Sequence, residues 1–305
     1  MSAPALLLEG VRKRYGARVA LDGLSFAAPR GAITGLVGRN GAGKTTCFSI
    51  VGGLLTPDAG RVDVLDQGPF NPALHAGSLG LLPQDAELPG HTRVGNVLLY
   101  LARLQGLASR AAHTEVARVL DMLQLTERIE SRVRELSHGM RRRVSVAQAL
   151  LGEPRLVLLD EPTSGLDPEL VASMRELLRV QRTRGVSLVV SSHVLSDLEA
   201  ICDHVVFIEA GRCTREGPLA AVTGRQRLVR FTLARPPDLA ALQQRLPDLH
   251  LRLAGENLQV EAPAQGEIAA VNRRVLQALL ELGADVLEVR LGHSLEQAYL
   301  GADQA

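Results

Sequence analysis

The chain has 305 residues, 46% hydrophobic and 22% charged, an ordinary globular mix long enough for one large domain plus a small one, or for two of similar size. A net charge of +1 calls for no polyanionic partner, and 3% aromatics with no Trp leave little from which to build a stacking platform for single-stranded nucleic acid. No apolar run reaches the ~18–20 residues of a membrane span, and the opening MSAPALLLEGVRKRYG puts its apolar stretch before its charges, which suits a first strand better than a secretory signal. Cys47, Cys202 and Cys213 lack metal-ligand spacing and read as small buried hydrophobes of a reducing cytosol.

In chain order, Leu6 to Val11 and Leu24 to Ala28 read as strands. Tyr15, between them, is either a strand-end aromatic or a ring that stacks on a nucleotide base. An apolar run, Ala32 to Val37, then leads into Gly38-Arg39-Asn40-Gly41-Ala42-Gly43-Lys44-Thr45-Thr46 and a helix-like run from Thr45 to Leu55. Strand, glycine-rich loop and helix form the setting in which backbone N–H groups and a helix N-terminus cradle phosphates. Lys44 would reach the β- and γ-phosphates, and the Thr45 hydroxyl would bind Mg²⁺. The chain has only two lysines, Lys13 and Lys44, so a lysine at this place is not compositional drift.

Thr56 to Gly60 reads as a turn, followed by strands Arg61 to Leu65 and Ser78 to Leu82. Gln84 stands at the end of the second strand, where a Gln in a nucleotide-binding sheet can reach a metal and a water. From Arg93 to Leu125 the period becomes helical, with Val94, Val97, Leu98, Leu101 and Leu104 on one stripe and Val116, Val119, Leu120 and Leu123 on another. Ser137, in Leu136-Ser137-His138-Gly139-Met140, fits a helix N-cap, either plain or one that offers its hydroxyl and N–H groups to a ligand. Leu156 to Leu159 suits a strand buried on both faces, and it ends in Asp160 and Glu161, where α/β sheets place ligands. Asp160 is placed to hold Mg²⁺ directly or through water, and Glu161 to polarise an attacking water. Ser164 to Pro168 reads as a turn into a helix from Glu169 to Arg182, and Ser187 to Ser191 as a strand with His193 just past its end. Val205 to Ala210 and Arg212 to Glu216 form a hairpin pattern around Gly211.

Taken in this order, Tyr15, Gly38 to Thr45, Gln84, Leu136 to Gly139, Leu159 to Glu161, Ser164 to Asp167 and His193 resemble the ATPase subunit of an ABC (ATP-binding cassette) transporter, over residues 1–223. The resemblance implies an α/β P-loop NTPase cassette with a mixed sheet core and a helical subdomain at about residues 85–150. It implies ATP and Mg²⁺, with Tyr15 on adenine and with Gly38, Asn40, Gly41, Ala42, Gly43, Lys44, Thr45 and Thr46 around the phosphates. Thr45, Gln84 and Asp160 would surround the metal. Glu161 would be the catalytic base, with His193 and Lys44 beside it. Two cassettes would close head to tail, so that Ser137 and Gly139 reach the γ-phosphate held by the other copy and Asp167 couples the two sites. The expected partners are a second copy or a similar ATPase and a separate permease, through which the chain meets the membrane; nucleic acid is not expected. The commonest form of the family's signature is Leu-Ser-Gly-Gly-Gln; here His138 and Met140 replace a glycine and the glutamine.

Residues 224–305 fall outside the cassette pattern. Strand Leu228 to Leu233, helix Asp238 to Leu246, strands Leu249 to Leu253 and Leu258 to Ala262, helix Glu267 to Leu282 and strand Val286 to Arg290 give the order βαββαβ of a ferredoxin-like α+β domain, with Pro263 in a loop. Ser294 to Leu300 resembles the closing motif of the drug- and sodium-exporting branch of these ATPases, which implies export, with the chain at the cytoplasmic face of the membrane; the low lysine and high arginine content suggests a GC-rich bacterial genome. Two readings from other classes compete: a soluble cassette ATPase acting on ribosomes or DNA, and a regulatory nucleotide binder that does not hydrolyse. The lack of a second phosphate loop and of heptads weighs against the first, and the presence of Glu161 and His193 against the second.

Overall fold

The computed structural model describes residues 3–224, 228–262, 267–292 and 295–300, so Pro263 and Ser294 lie outside the described residues. The chain forms two compact units, Met1–Glu216 and Gly217–Ala305.

The first unit opens with β1 (Leu6–Tyr15) and β2 (Arg18–Ala28), then β3 (Ile33–Val37), α1 (Lys44–Val51), β4 (Ala59–Val64), a short α2 (Pro72–His75) and β5 (Leu79–Leu82). Three helices follow: α3 (Val94–Leu104), α4 (Ser109–Met122) and α5 (His138–Ala149). β6 (Leu156–Asp160), α6 (Pro168–Thr183), β7 (Ser187–Ser191), α7 (Leu195–Ile201), β8 (His204–Glu209) and β9 (Arg212–Pro218) complete the alternation.

β1, β2 and β4 make an antiparallel sheet in the order β2-β1-β4. The main sheet runs β5-β6-β7-β3-β8-β9, and its pairings from β5 through β8 are parallel. Every residue of β3, β6 and β7 is buried, which explains their unbroken apolar character. Parallel neighbours end on one side, so the loops after β3, β6 and β7 emerge together, and the phosphate loop, the acidic pair and His193 all lie on these loops.

The first hairpin is longer than its apolar runs suggest: β1 continues through Arg12-Lys13-Arg14 to Tyr15, where both faces carry exposed positions, and register shifts after Leu8 break the alternation. Gly60 belongs to β4 rather than to the preceding turn. Its φ is +91°, and a Cβ there would sit 2.5 Å from the Gly10 backbone, so β4 can approach β1 only with glycine at this place. In α3 the buried stripe is Val94, Val97, Leu98 and Ala102; Leu104 is off it and exposed. The helices α2 and α7, too short for a visible period, go unread in the sequence. The Cys47 thiol is pushed up to about 12 by burial and that of Cys213 to about 11, so both are poor nucleophiles.

The second unit carries α8 (Leu219–Val222), β10 (Leu228–Leu233), α9 (Leu239–Arg245), β11 (His250–Ala254), β12 (Asn257–Glu261), α10 (Ile268–Glu281), β13 (Val286–Leu291) and α11 (Leu295–Leu300). Its sheet is antiparallel in the order β11-β12-β10-β13, the arrangement of the ferredoxin-like split βαβ fold. Val229, Phe231, Leu233, Leu258 and Val260 of the sheet pack with Leu242, Val275 and Leu279 of the helices into one apolar core.

Candidate active site

The phosphate loop opens from the buried end of β3 and closes onto the first turn of α1. Gly43 caps α1 in the left-handed region, at φ +111°, and a Cβ there would lie 2.6 Å from Leu21 Cδ2 and 2.8 Å from Ala20 O. Only glycine satisfies both the conformation and the space. Lys44 follows at once and folds back: its Nζ donates to Gly38 O at 2.6 Å and to Arg39 O at 3.3 Å. The side chain thus sits in a ring of loop carbonyls, pointing where a phosphate chain would lie. Burial holds its pKa below the ordinary lysine value, an effect partly offset by the negative charges of Glu161 and Asp160.

Thr45 faces the end of β6. Its hydroxyl donates to Asp160 Oδ2 at 2.8 Å and lies 3.3 Å from Gln84 Oε1. Three oxygens from three segments therefore converge, a donor set of hard ligands that fits Mg²⁺ shared with substrate phosphates. Among the described residues there is no cluster of three or more His, Cys, Asp or Glu suited to a metal held by protein alone.

Glu161 stands immediately beyond β6, in the left-handed region at φ +51°, an uncommon place for a non-glycine residue. Its backbone N–H donates to Ser191 Oγ at 3.0 Å, while the Ser191 hydroxyl donates to Asp160 Oδ1. A single serine at the end of β7 thus holds both acids. His193 Nδ1 lies 3.0 Å from Glu161 Oε2; the histidine is half exposed and the glutamate largely buried.

Arg142, on α5, completes the frame. Its guanidinium donates to Asp160 O at 2.7 Å and Glu161 O at 2.6 Å, and lies 3.4 Å from Pro162 O and Gln84 O. Burial pulls its pKa below the ordinary arginine value, against the attraction of Asp160, Glu161 and Asp85. The run Arg141-Arg142-Arg143 does not reveal which arginine turns inward. Helical spacing does not single one out either, because the positions three and four residues on from each of the three are buried. Ser191 likewise went unread, although a serine ending a fully buried strand is itself a signal.

A cleft of about 380 Å³ is lined by Tyr15, Arg18, Asn40, Gly41, Lys44, Thr45, Thr46, Gln84, Asp160 and Glu161, among others. Tyr15 is half exposed at its rim, and Ala42 is buried beneath the loop. Ser137, Gly139 and Asp167 do not line this cleft. Ser137 caps α5 by accepting from Met140 N at 3.2 Å. Gly139 packs on Leu170 and Leu166, and the His138 ring lies against Gly165. Asp167 caps α6 by accepting from Leu170 N at 2.9 Å. One copy therefore holds a cleft with its acids and, outside the lining of that cleft, a serine-capped helix start. Among the described residues no helix is long and apolar enough to cross a membrane.

The family model described as ABC transporter matches residues 21–164. The Nod factor export ATP-binding protein I of Burkholderia orbicola (strain AU 1054) is 36% identical over 261 residues, covering 85% of this chain and 86% of that one. The Daunorubicin resistance ATP-binding protein DrrA3 of Streptomyces coeruleorubidus is 32% identical, covering 98% and 96%. Among solved structures, an ATP-binding subunit of an ABC transporter superposes with a TM-score of 0.65 at 27% identity, over 72% of this chain and 92% of that one.

Proposed function

This chain belongs to the ABC transporter ATPase family, and from that premise we propose that it powers export through a separate membrane-spanning permease, as one of two cassettes that close on two Mg-ATP. As a member of the family it binds ATP and hydrolyses it, and family subunits dimerise and work with transmembrane partners. The export direction draws support from the relatives named for Nod factor export and daunorubicin resistance. We assign the cassette work to residues 1–223, an accessory role to residues 224–305, and the site of action to the cytoplasmic face of the cell membrane.

The observation that carries the reading is the convergence of Lys44, Thr45, Asp160, Glu161 and His193 at the ends of three adjacent strands, with Ser137 and Gly139 outside the lining of that cleft. In the proposed cycle Tyr15 stacks on adenine, and the loop from Gly38 to Thr46 with Lys44 holds the phosphates. Thr45, Gln84 and Asp160 would hold Mg²⁺, which would neutralise charge on the β- and γ-phosphates. Glu161 accepts the proton of the attacking water, and His193 keeps that carboxylate oriented and meets the γ-phosphate. Ser137 and Gly139 of a second copy supply the hydroxyl and N–H donors that the cleft of one copy lacks, and Asp167 links the two sites. Closure driven by ATP and reopening driven by hydrolysis would pass through Gln84 and the helical subdomain to the permease.

The test is co-purification. Tagged Glu161→Gln protein, extracted in detergent from native membranes with ATP and Mg²⁺, should carry a stoichiometric multi-span membrane protein. Recovery of ribosomal or DNA-bound proteins with no membrane partner would overturn the transporter reading.

A further inference from the structure

Among the described residues β13 is the open edge of the second unit's sheet, since the order β11-β12-β10-β13 leaves it with a single neighbour. It is unusually apolar for an edge: Leu287 is 67% exposed, Leu291 46% and Val289 36%. Edge strands are ordinarily guarded by charge against pairing. Here the charges alternate in sign along Leu287-Glu288-Val289-Arg290-Leu291, a sequence that complements itself when reversed.

The hydrogen-bond phase of the edge fits that symmetry. Gly292 N donates to Leu228 O at 2.7 Å, so Leu228 and Gly292 form a bonded pair. Directly opposed residues of an antiparallel ladder alternate between bonded and non-bonded pairs. Arg230–Arg290 is therefore the next bonded pair, while Val229–Leu291 and Phe231–Val289 are not bonded. The N–H and C=O of Val289 and Leu291 thus point away from β10, toward the open edge.

We propose that this edge is a self-docking surface, on which β13 of one copy pairs antiparallel with β13 of a second copy about Val289, joining two four-stranded sheets into one of eight strands. The free groups of Val289 face those of Val289 in the second copy and exchange both hydrogen bonds. Leu287, the extra residue of the bulge, comes opposite Leu291 at each end of the pairing, while Val289 and Leu291 stand on the face of the sheet that carries Phe231 and Val229. Glu288 comes opposite Arg290 twice, in the non-bonded positions where side chains stand closest. Within one copy Arg290 Nε donates to Glu288 Oε1 at 2.8 Å, and both are well exposed, so exchanging that contact for the one across the interface costs little. The bulge at Leu287 limits the regular pairing to this short stretch. The pairing uses no feature of the nucleotide cleft. It would keep two cassettes near one another before ATP is bound.

Sedimentation velocity on the full chain without nucleotide tests the pairing apart from cassette closure. The parent should shift from monomer toward dimer across roughly 1–100 μM, the range of a small interface. Glu288→Arg and Arg290→Glu each set like charges opposite one another at both contacts and should sediment as monomers. Mixed one to one, the two variants restore opposite charges at both contacts and should associate. The double variant Glu288→Arg/Arg290→Glu, with the charges exchanged within one chain, should associate like the parent, which separates lost pairing from lost folding. A parent that stays monomeric without nucleotide, single variants that associate as the parent does, or a mixture and a double variant that both stay monomeric would each overturn the proposal.

Discussion

The two units bury different things. In the first, Lys44, Asp160, Ser191, Ser192 and Asp197 lie out of water, with the Arg142 guanidinium drawn among backbone carbonyls. In the second, Thr223 is the one buried polar residue among those described. Burying a charge is costly unless it is paired. Lys44, Asp160 and Ser191 of these gather in one network at the ends of β3, β6 and β7, where the chemistry needs them. The second unit has no such network. It is held by packing, and its distinctive chemistry lies on its rim, at β13.

The largest effect that sharpens this contrast is expected from Glu161→Gln. The amide matches the carboxylate in shape and leaves the backbone bonds to Ser191 in place, but it cannot take a proton. Turnover should fall by about 10²–10⁴ with ATP affinity kept, read by steady-state phosphate release beside fluorescent-nucleotide binding. Hydrolysis at the parent rate would show that Glu161 is not the base. Phe231→Ala comes next. Phe231 is fully buried at the centre of the second unit's core, and its loss should cost that unit about 3–5 kcal/mol. Calorimetry should show one transition moving down while the other stays, with ATP hydrolysis unchanged at low temperature. A single shared transition would break the contrast.

Much of the site is legible in the sequence because it is written in consecutive residues. Gly38 to Thr46 carries loop, helix start and functional groups in one run, Leu156 to Glu161 carries strand and acids in another, and the Ser137 cap is local too. The second unit is legible because its period switches between two and 3.6 residues at each element, and the βαββαβ order leaves few sheets to choose from. What stays hidden is whatever depends on distant partners. Ser191 reads as a strand-end serine until β7 is laid beside β6, and Arg142 as one surface arginine of three until α5 is packed against the loop after β6. The charged outer half of β1 hides a strand because its pattern follows three register shifts rather than an alternation.

Arg142 offers the next test. It touches no reacting atom in the proposed cycle; it fixes the backbone carrying Gln84, Asp160 and Glu161. Arg142→Lys keeps the charge but not the planar fork that reaches two carbonyls at once. Turnover should drop by about 10–100-fold with KM for ATP close to the parent's, as expected for a shift in position rather than a lost contact. Equal damage to KM would assign Arg142 to nucleotide binding instead.

The smallest effect is a proton. Burial holds the folded, nucleotide-free Lys44 below the ordinary lysine pKa, so between that lowered value and the unfolded one the unfolded chain binds more protons at this residue. Stability from this residue therefore rises with pH through that alkaline window. Bound phosphates place negative charge beside Nζ and raise the pKa again. ATP binding should therefore take up protons in the alkaline range between the lowered pKa and the one that the phosphates restore, and progressively fewer as the pH falls below that range. Titration calorimetry in two buffers of different ionisation enthalpy reads the uptake directly. Lys44→Arg, whose charge does not titrate in this range, should bind ATP with no alkaline uptake. Uptake that persists in Lys44→Arg would place the proton on another group and remove the buried lysine from the account of how the loop receives its substrate.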